Sequence, residues 1–145
     1  MSTPITTLVS GIETKCSAYL GSSYSKIDYG IDVSKNRSRG AMKRYAVLPS
    51  GAAQVDSIGN LVMDQVFSVK LTDGYNPGKV NDHTIQDITN SLYDKIYSLY
   101  EYLVDNKCGA ASLVMNTFDL SVGDPEYLDE EVVIIEFSFV VKHRI

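Results

Sequence analysis

The residues best suited to chemistry in this sequence are charged, and they form two clusters of opposite sign. The first is the stretch KNRSRGAMKR, which contains five basic side chains and no acid: Lys35, Arg37, Arg39, Lys43 and Arg44. The second is VGDPEYLDEE, which contains five acids: Asp124, Glu126, Asp129, Glu130 and Glu131. Guanidinium and ammonium groups bind phosphates and carboxylates. The basic cluster therefore predicts a contact either with nucleic acid or with another protein.

The charge of the rest of the chain bears on that choice. The 145 residues carry a formal net charge of −5, and the 135 residues outside the basic stretch have 8 basic and 18 acidic side chains, a charge of −10. A protein that holds duplex DNA needs basic charge over a whole face, because affinity comes from many phosphate contacts. One basic segment on an acidic body favours a local contact role.

Catalytic signatures are absent from the sequence. His83 and His143 are the two histidines, and neither has a nucleophile or a metal ligand beside it. There is no phosphate-binding glycine loop, no dinucleotide fingerprint and no zinc-protease motif. The acids of the second cluster do not follow the spacing of a calcium loop, and solvated charge is the usual role of such a run. We therefore expect no enzyme activity, no cofactor and no metal site.

Targeting signals are also missing. The first residues lack the basic start and apolar block of a signal peptide, and the longest apolar run, VVII at 132–135, is far shorter than the roughly 20 residues that cross a membrane. Cys16 and Cys108 lie at helix-like positions without metal-ligand spacing, so they are expected to be buried free thiols. These features predict a cytoplasmic origin and no membrane partner.

Two helices are predicted from apolar residues that recur every three or four positions. The first spans 4–20, because Thr3 is an N-cap candidate followed by proline and the apolar pattern continues to Leu20. The second spans about 84–105, where Thr84 and Asp87 resemble a capping box. Its apolar stripe is flanked by tyrosines, which suit a half-buried surface.

Strands are predicted from apolar and polar residues that alternate, at 26–33, 44–49, 63–71, 112–120 and 130–145, with a weaker candidate at 54–58. The second of these strands is expected to end at Pro49-Ser50-Gly51. The basic stretch falls between the first two strands, so it is predicted to be a hairpin loop, flexible at about 34–43. The acidic cluster is predicted to be a turn.

This order, α-β-β-(β)-β-α-β-β, predicts a single α+β domain over residues 1–145. We expect a mostly antiparallel sheet of about four to six strands with two helices packed on it. In the last strand, alternate residues are predicted to share one face: Val133, Ile135, Phe137, Phe139 and Val141. This strand is long and rich in β-branched and aromatic residues, so it belongs in the interior of the sheet or needs protection at its edge.

Surface chemistry favours assembly over catalysis. The ten tyrosines could stack on the bases of a single strand, but most lie at helical spacing on the second helix, where packing is the usual role. A basic loop and an acidic turn on one chain are complementary patches. Such patches allow a head-to-tail ring, in which each subunit presents one patch to the other patch of its neighbour.

The pattern as a whole resembles the tail terminator, or tail completion, proteins of long-tailed bacteriophages. The resemblance covers the full chain and lies in the order of these segments: TPITTLVSGIETKCSAYL, SKIDYGIDV, RYAVLP, VMDQVFSVKL, TIQDITNSLYDKIYSLYEYLVDN, ASLVMNTFDL and EEVVIIEFSFVVKHRI.

The resemblance implies a structural protein of the virion tail or neck, assembled in the host cytoplasm. Such proteins form a hexameric ring on the head-proximal end of the tail tube, stop the growth of the tube and present a docking surface to the head-completion or neck connector protein. In a contractile tail the ring also meets the sheath protein, and DNA only passes through its opening. The alternatives are a small DNA-binding accessory protein that uses residues 35–44, and a small α+β enzyme or ligand-binding protein.

Overall fold

The fold of this chain is known from a computed structural model, which describes residues 3–27, 43–55, 61–74, 85–128 and 132–144. Its elements in chain order are α1 (Pro4–Leu20), β1 (Ser25–Lys26), β2 (Arg44–Val55), β3 (Val62–Gly74), α2 (Ile85–Asp105), a 3-10 turn (Lys107–Gly109), β4 (Val114–Val122), β5 (Glu126–Leu128) and β6 (Val132–Arg144). The six strands form one sheet in the order β1-β2-β3-β6-β4, and β5 also pairs with β6. All pairs except β1 and β2 are antiparallel, which confirms the predicted α+β class.

The first helix has the predicted bounds because both of its ends are capped. The backbone N–H of Thr6 donates to Thr3 Oγ1 at 3.2 Å, and Pro4 occupies the first turn, where its missing N–H costs nothing. At the other end, Gly21 has a φ of 80° and donates its N–H to the carbonyl oxygen of Ser17. The second helix begins at Ile85, and the predicted capping residue Thr84 lies outside the described residues.

The hydrophobic core lies between the helices and one face of the sheet. The predicted inward face of the last strand is confirmed, since its side chains are all at most 1% exposed: Val133, Ile135, Phe137, Phe139 and Val141. Leu8 and Ile12 of α1 and Leu92 and Ile96 of α2 are fully buried in the same cluster. Strand β6 lies between β3 and the β4–β5 edge, so its predicted interior position is also confirmed.

The predicted hairpin around the basic stretch is wrong for the described strands. Ser25 pairs with Arg44 and Lys26 with Tyr45, and this pair is parallel. A parallel pair needs a connection that returns to the same end of the sheet, whereas a hairpin joins antiparallel strands. Residues 28–33 of the predicted first strand lie outside the described residues.

The length of β2 and the structure of the acidic turn also differ from the prediction. Strand β2 does not end at Pro49; it continues to Val55 after an irregularity between Pro49 and Ala52. The Gln65 amide stabilises that irregularity by donating to the carbonyl oxygens of Ser50 and Gly51. The described start of the weak 54–58 candidate therefore belongs to β2. The acidic turn, in addition, contains a short strand, β5, that pairs with β6.

Candidate protein-binding surface

Strands β4 and β5 form one interrupted edge of the sheet. Both pair with β6: Val122 lies opposite Phe137, and Glu126 lies opposite Ile134. Residues 123–125 interrupt the edge, and β4 has two further irregularities, one of which includes Asp119 with a φ of 59°. Such bulges prevent regular pairing with another strand. A partner at this edge must therefore be recognised by side chains more than by a continued β-ladder.

A polar pocket of about 340 Å³ lies beside this interruption, on the face of the sheet turned away from the helices. We call it the edge pocket. Its charged lining residues are Asp124, Glu126, Glu136 and Lys70, and its hydroxyl groups come from Ser68, Ser121 and Ser138. Lys70 Nζ lies 4.0 Å from Glu136 Oε2. With three carboxylates and one ammonium group, the edge pocket is suited to a cationic group.

An exposed aromatic surface lies on the helix side of the same edge. We call Tyr93, Tyr97 and Tyr127 the tyrosine patch. Tyr97 is 57% and Tyr127 49% exposed, while Tyr93 is half-buried against the core. The Tyr127 hydroxyl lies 3.3 Å from Thr89 Oγ1, which joins α2 to β5. Two large rings exposed at one edge are typical of a surface that meets another molecule.

The edge pocket and the tyrosine patch adjoin through the interruption at 123–125. The Tyr93 hydroxyl donates to the carbonyl oxygen of Gly123 at 3.4 Å, and Gly123 also lines the edge pocket. Desolvation raises the pKa of Tyr93, and the charges of Asp124 and the other two patch tyrosines raise it further. Asp124 is therefore within electrostatic range of the patch while it lines the pocket. We refer to the pocket and the patch together as the edge surface.

The predicted basic residues that the structure describes lie across the sheet from the edge surface. Arg44 of β2 is opposite Thr72, Thr72 is opposite Ile134, and Ile134 is opposite Glu126. Arg44 and Glu126 thus occupy one cross-strand row, three strand spacings or ~14 Å apart. Lys35, Arg37, Arg39, Asp129 and Glu130 lie outside the described residues.

Lys43 and Arg44, the two residues of the basic cluster that the structure describes, both make contacts within the chain. The Arg44 side chain is only 4% exposed. Lys43 is exposed, and its Nζ lies 5.8 Å from the centre of the Tyr24 ring. Lys43 also acts on Asp73, whose pKa is raised by desolvation against the opposing effects of the Gly74 N–H, Lys43 and Lys95. Lys43 and Arg44 therefore belong to the local structure at the start of β2.

The remaining residues whose side chains could act as nucleophiles, bases or metal ligands are dispersed. His143 is buried, and its Nδ1 lies 2.8 Å from the carbonyl oxygen of Arg144; because that oxygen can only accept, Nδ1 is the donor. Cys16 and Cys108 are free and buried, as predicted, and Cys108 Sγ lies 3.6 Å from Thr117 Oγ1. In the part of the chain that the structure describes, no three His, Cys, Asp or Glu side chains are grouped to hold a metal ion, and no helix is long and apolar enough to cross a membrane. His83 lies outside that part.

The acidic cluster in the sequence indicated Asp124 and Glu126, but most of the edge surface around them had no signal in the sequence. The tyrosines of α2 were expected to be half-buried, and Tyr127 carried no signal of its own. Lys70 and Glu136 come from separate strands, and they meet only because β3 pairs with β6. A pocket built from four strands leaves no spacing in the sequence that could reveal it.

Comparisons with known proteins add one finding. No protein-family model matches the sequence, and no curated protein matches it. Among solved structures, a chain from the virion of a native gene transfer agent (GTA) particle aligns with a TM-score of 0.55 and 12% identity, over 99% of each chain. The two chains share a fold.

Proposed function

We propose that this protein is a virion structural protein. The observation that carries the proposal is the fold it shares, over 99% of both chains, with a chain from the virion of a GTA particle. The acidic edge surface and the basic stretch support it, because they equip the chain for contact with other proteins. The function requires shape and contact, and no bond is made or broken.

We further propose the finer role that the resemblance to tail terminators implies, a hexameric ring on the head-proximal end of the tail tube. The ring stops the growth of the tube and docks the neck connector, it meets the sheath if the tail is contractile, and DNA passes through its opening. A ring needs two different patches on each subunit. The row from Arg44 to Glu126 supports this, since it separates the start of β2 from the acidic edge by the width of three strand spacings.

The proposal is tested by the mass of the protein in solution and in the presence of tail tubes. Sedimentation velocity and negative-stain imaging over a range of concentrations are expected to show closed rings of six copies, free or at one end of each tube. Adding the protein to polymerising tube subunits is expected to shorten the tubes. A monomer at every concentration, with no binding to tube ends and no effect on tube length, would contradict the proposal.

A further inference from the structure

We infer that the edge surface binds the basic stretch of a second copy of this chain, through Lys35, Arg37 and Arg39. The inference deepens the proposed function and rests on it, because it identifies the contact between neighbouring subunits. In this contact, the acidic edge pocket binds a guanidinium or ammonium group of the stretch, and the tyrosine patch binds the remainder of the stretch.

The edge pocket has the chemistry that an arginine side chain needs. A guanidinium group has five N–H donors, which pair with carboxylate oxygens in a bidentate geometry and with hydroxyl oxygens. Asp124 and Glu126 are both exposed at the pocket, and in the described part of the chain neither of them has an ion-pair partner. Among the three carboxylates of the pocket, Glu136 is the one that lies within ion-pair distance of Lys70. Two carboxylates therefore remain for an incoming cation, with three serine hydroxyls around them.

The tyrosine patch provides a second kind of contact next to the first. Cations bind over tyrosine rings, and the aliphatic stems of lysine and arginine pack on exposed aromatic surface. Tyr97 and Tyr127 expose about half of their area at this edge. Besides Lys43 and Arg44, which belong to the start of β2, the basic stretch has Lys35, Arg37 and Arg39 within five residues, which is enough for one to enter the pocket while others contact the rings.

The negative charge of the edge surface is complementary to the positive charge of the basic stretch, which identifies that stretch as the segment bound there. Outside the basic stretch the chain is strongly acidic, and the sequence places three more acids, Asp129, Glu130 and Glu131, directly after β5. The basic stretch is the one segment of the chain with a dense positive charge. Its described end, at Lys43 and Arg44, lies three strand spacings across the sheet from Glu126, so the basic and acidic regions of one chain can each meet a different copy.

Two variants and their mixture test the inference. The double variant Asp124→Asn with Glu126→Gln loses the acidic half of the contact, and Arg37→Gln with Arg39→Gln weakens the basic half. Each alone is expected to stay monomeric at concentrations where the unmodified chain assembles. Their equimolar mixture is expected to give a heterodimer of one copy each, because one intact contact remains. Glu101→Gln, an exposed change of the same chemistry on α2, is the matched control and is expected to assemble normally.

A labelled peptide of residues 34–43 gives a second measurement that does not depend on ring formation. Fluorescence anisotropy is expected to show saturable binding to the full chain that weakens as salt is added. Affinity is expected to fall at least about tenfold for the Asp124 and Glu126 double variant, the size expected for loss of a charge-assisted hydrogen bond. Tyr97→Ala is expected to weaken it less, and Glu101→Gln not at all.

The outcomes separate this inference from the proposed function. Rings that form equally well from both double variants would overturn the inference and leave the ring proposal standing. A peptide that does not bind, or that binds the double variant as well as the unmodified chain, would also overturn it. If the unmodified chain stays monomeric with tail tubes while the peptide still binds the edge surface, the tail terminator role fails and the contact remains.

Discussion

Burial controls the chemistry of both cysteine side chains. Desolvation raises the pKa of Cys16 to about 12 and that of Cys108 to about 11. The thiolate is the nucleophile, so at pH 8 neither thiol is expected to react with iodoacetamide in the folded protein. Both are expected to react within minutes once the chain is unfolded in guanidinium chloride. Mass spectrometry of the labelled protein measures this, and rapid labelling of either cysteine before unfolding would contradict it.

For individual residues, burial could be predicted where they belong to a repeating pattern, but it could not be predicted for isolated charges. The alternation in β6 identified its five inward side chains because every second residue of a strand faces the same side. Arg44 was expected to lie in a surface contact, and it is almost fully buried. A single charged residue at a strand start has no periodicity from which its environment could be read.

At the scale of elements, a close backbone contact joins α1 to the 3-10 turn. Any Cβ atom at Gly11 would clash with the carbonyl oxygen of Cys108, and Gly109 has a φ of 71° and lies against the same part of α1. Chain flexibility alone would favour alanine in a helix by about 1 kcal/mol. The clash is expected to outweigh that gain, so that Gly11→Ala lowers the free energy of unfolding by roughly 1–3 kcal/mol.

Chemical denaturation of the Gly11→Ala variant measures this change. Ser10→Ala, one position earlier and exposed, is the control, and it is expected to leave stability the same or slightly higher. A Gly11→Ala variant as stable as the control would mean that α1 and the 3-10 turn are not held at this distance. Apolar spacing predicts the helix around Gly11, but no pattern in the sequence indicates which segment the glycine contacts.

The elements that could be predicted are those that local sequence determines. Both helices were found with nearly the observed bounds, because caps and apolar spacing act within a few residues. The pairing of β1 with β2 and the existence of β5 were missed. Strand direction depends on where the connecting chain runs, and β5 is a strand only because β6 is beside it. The edge pocket was missed for the same reason.

For the whole molecule, the distribution of charge matters more than its total. The described acidic residues of the edge surface and the described end of the basic stretch, Lys43 and Arg44, lie three strand spacings apart across one sheet. A chain built this way attracts copies of itself in one orientation and repels them in the others, which favours defined assembly over aggregation. The same distribution limits what the basic stretch can do with nucleic acid.

The final prediction therefore concerns duplex DNA. A formal charge of −5 repels phosphates, and five cations in one stretch cannot cover the many contacts that tight binding needs. We expect little binding at physiological salt and only weak binding at low salt. The variants Arg37→Ala and Arg39→Ala are expected to change the DNA affinity at either salt concentration by no more than about twofold. A salt series of electrophoretic shift or anisotropy measurements tests this. Tight binding with a steep salt slope that flattens in the two variants would instead assign residues 35–44 to phosphate contacts, and the DNA-binding alternative would replace the assembly role of that stretch.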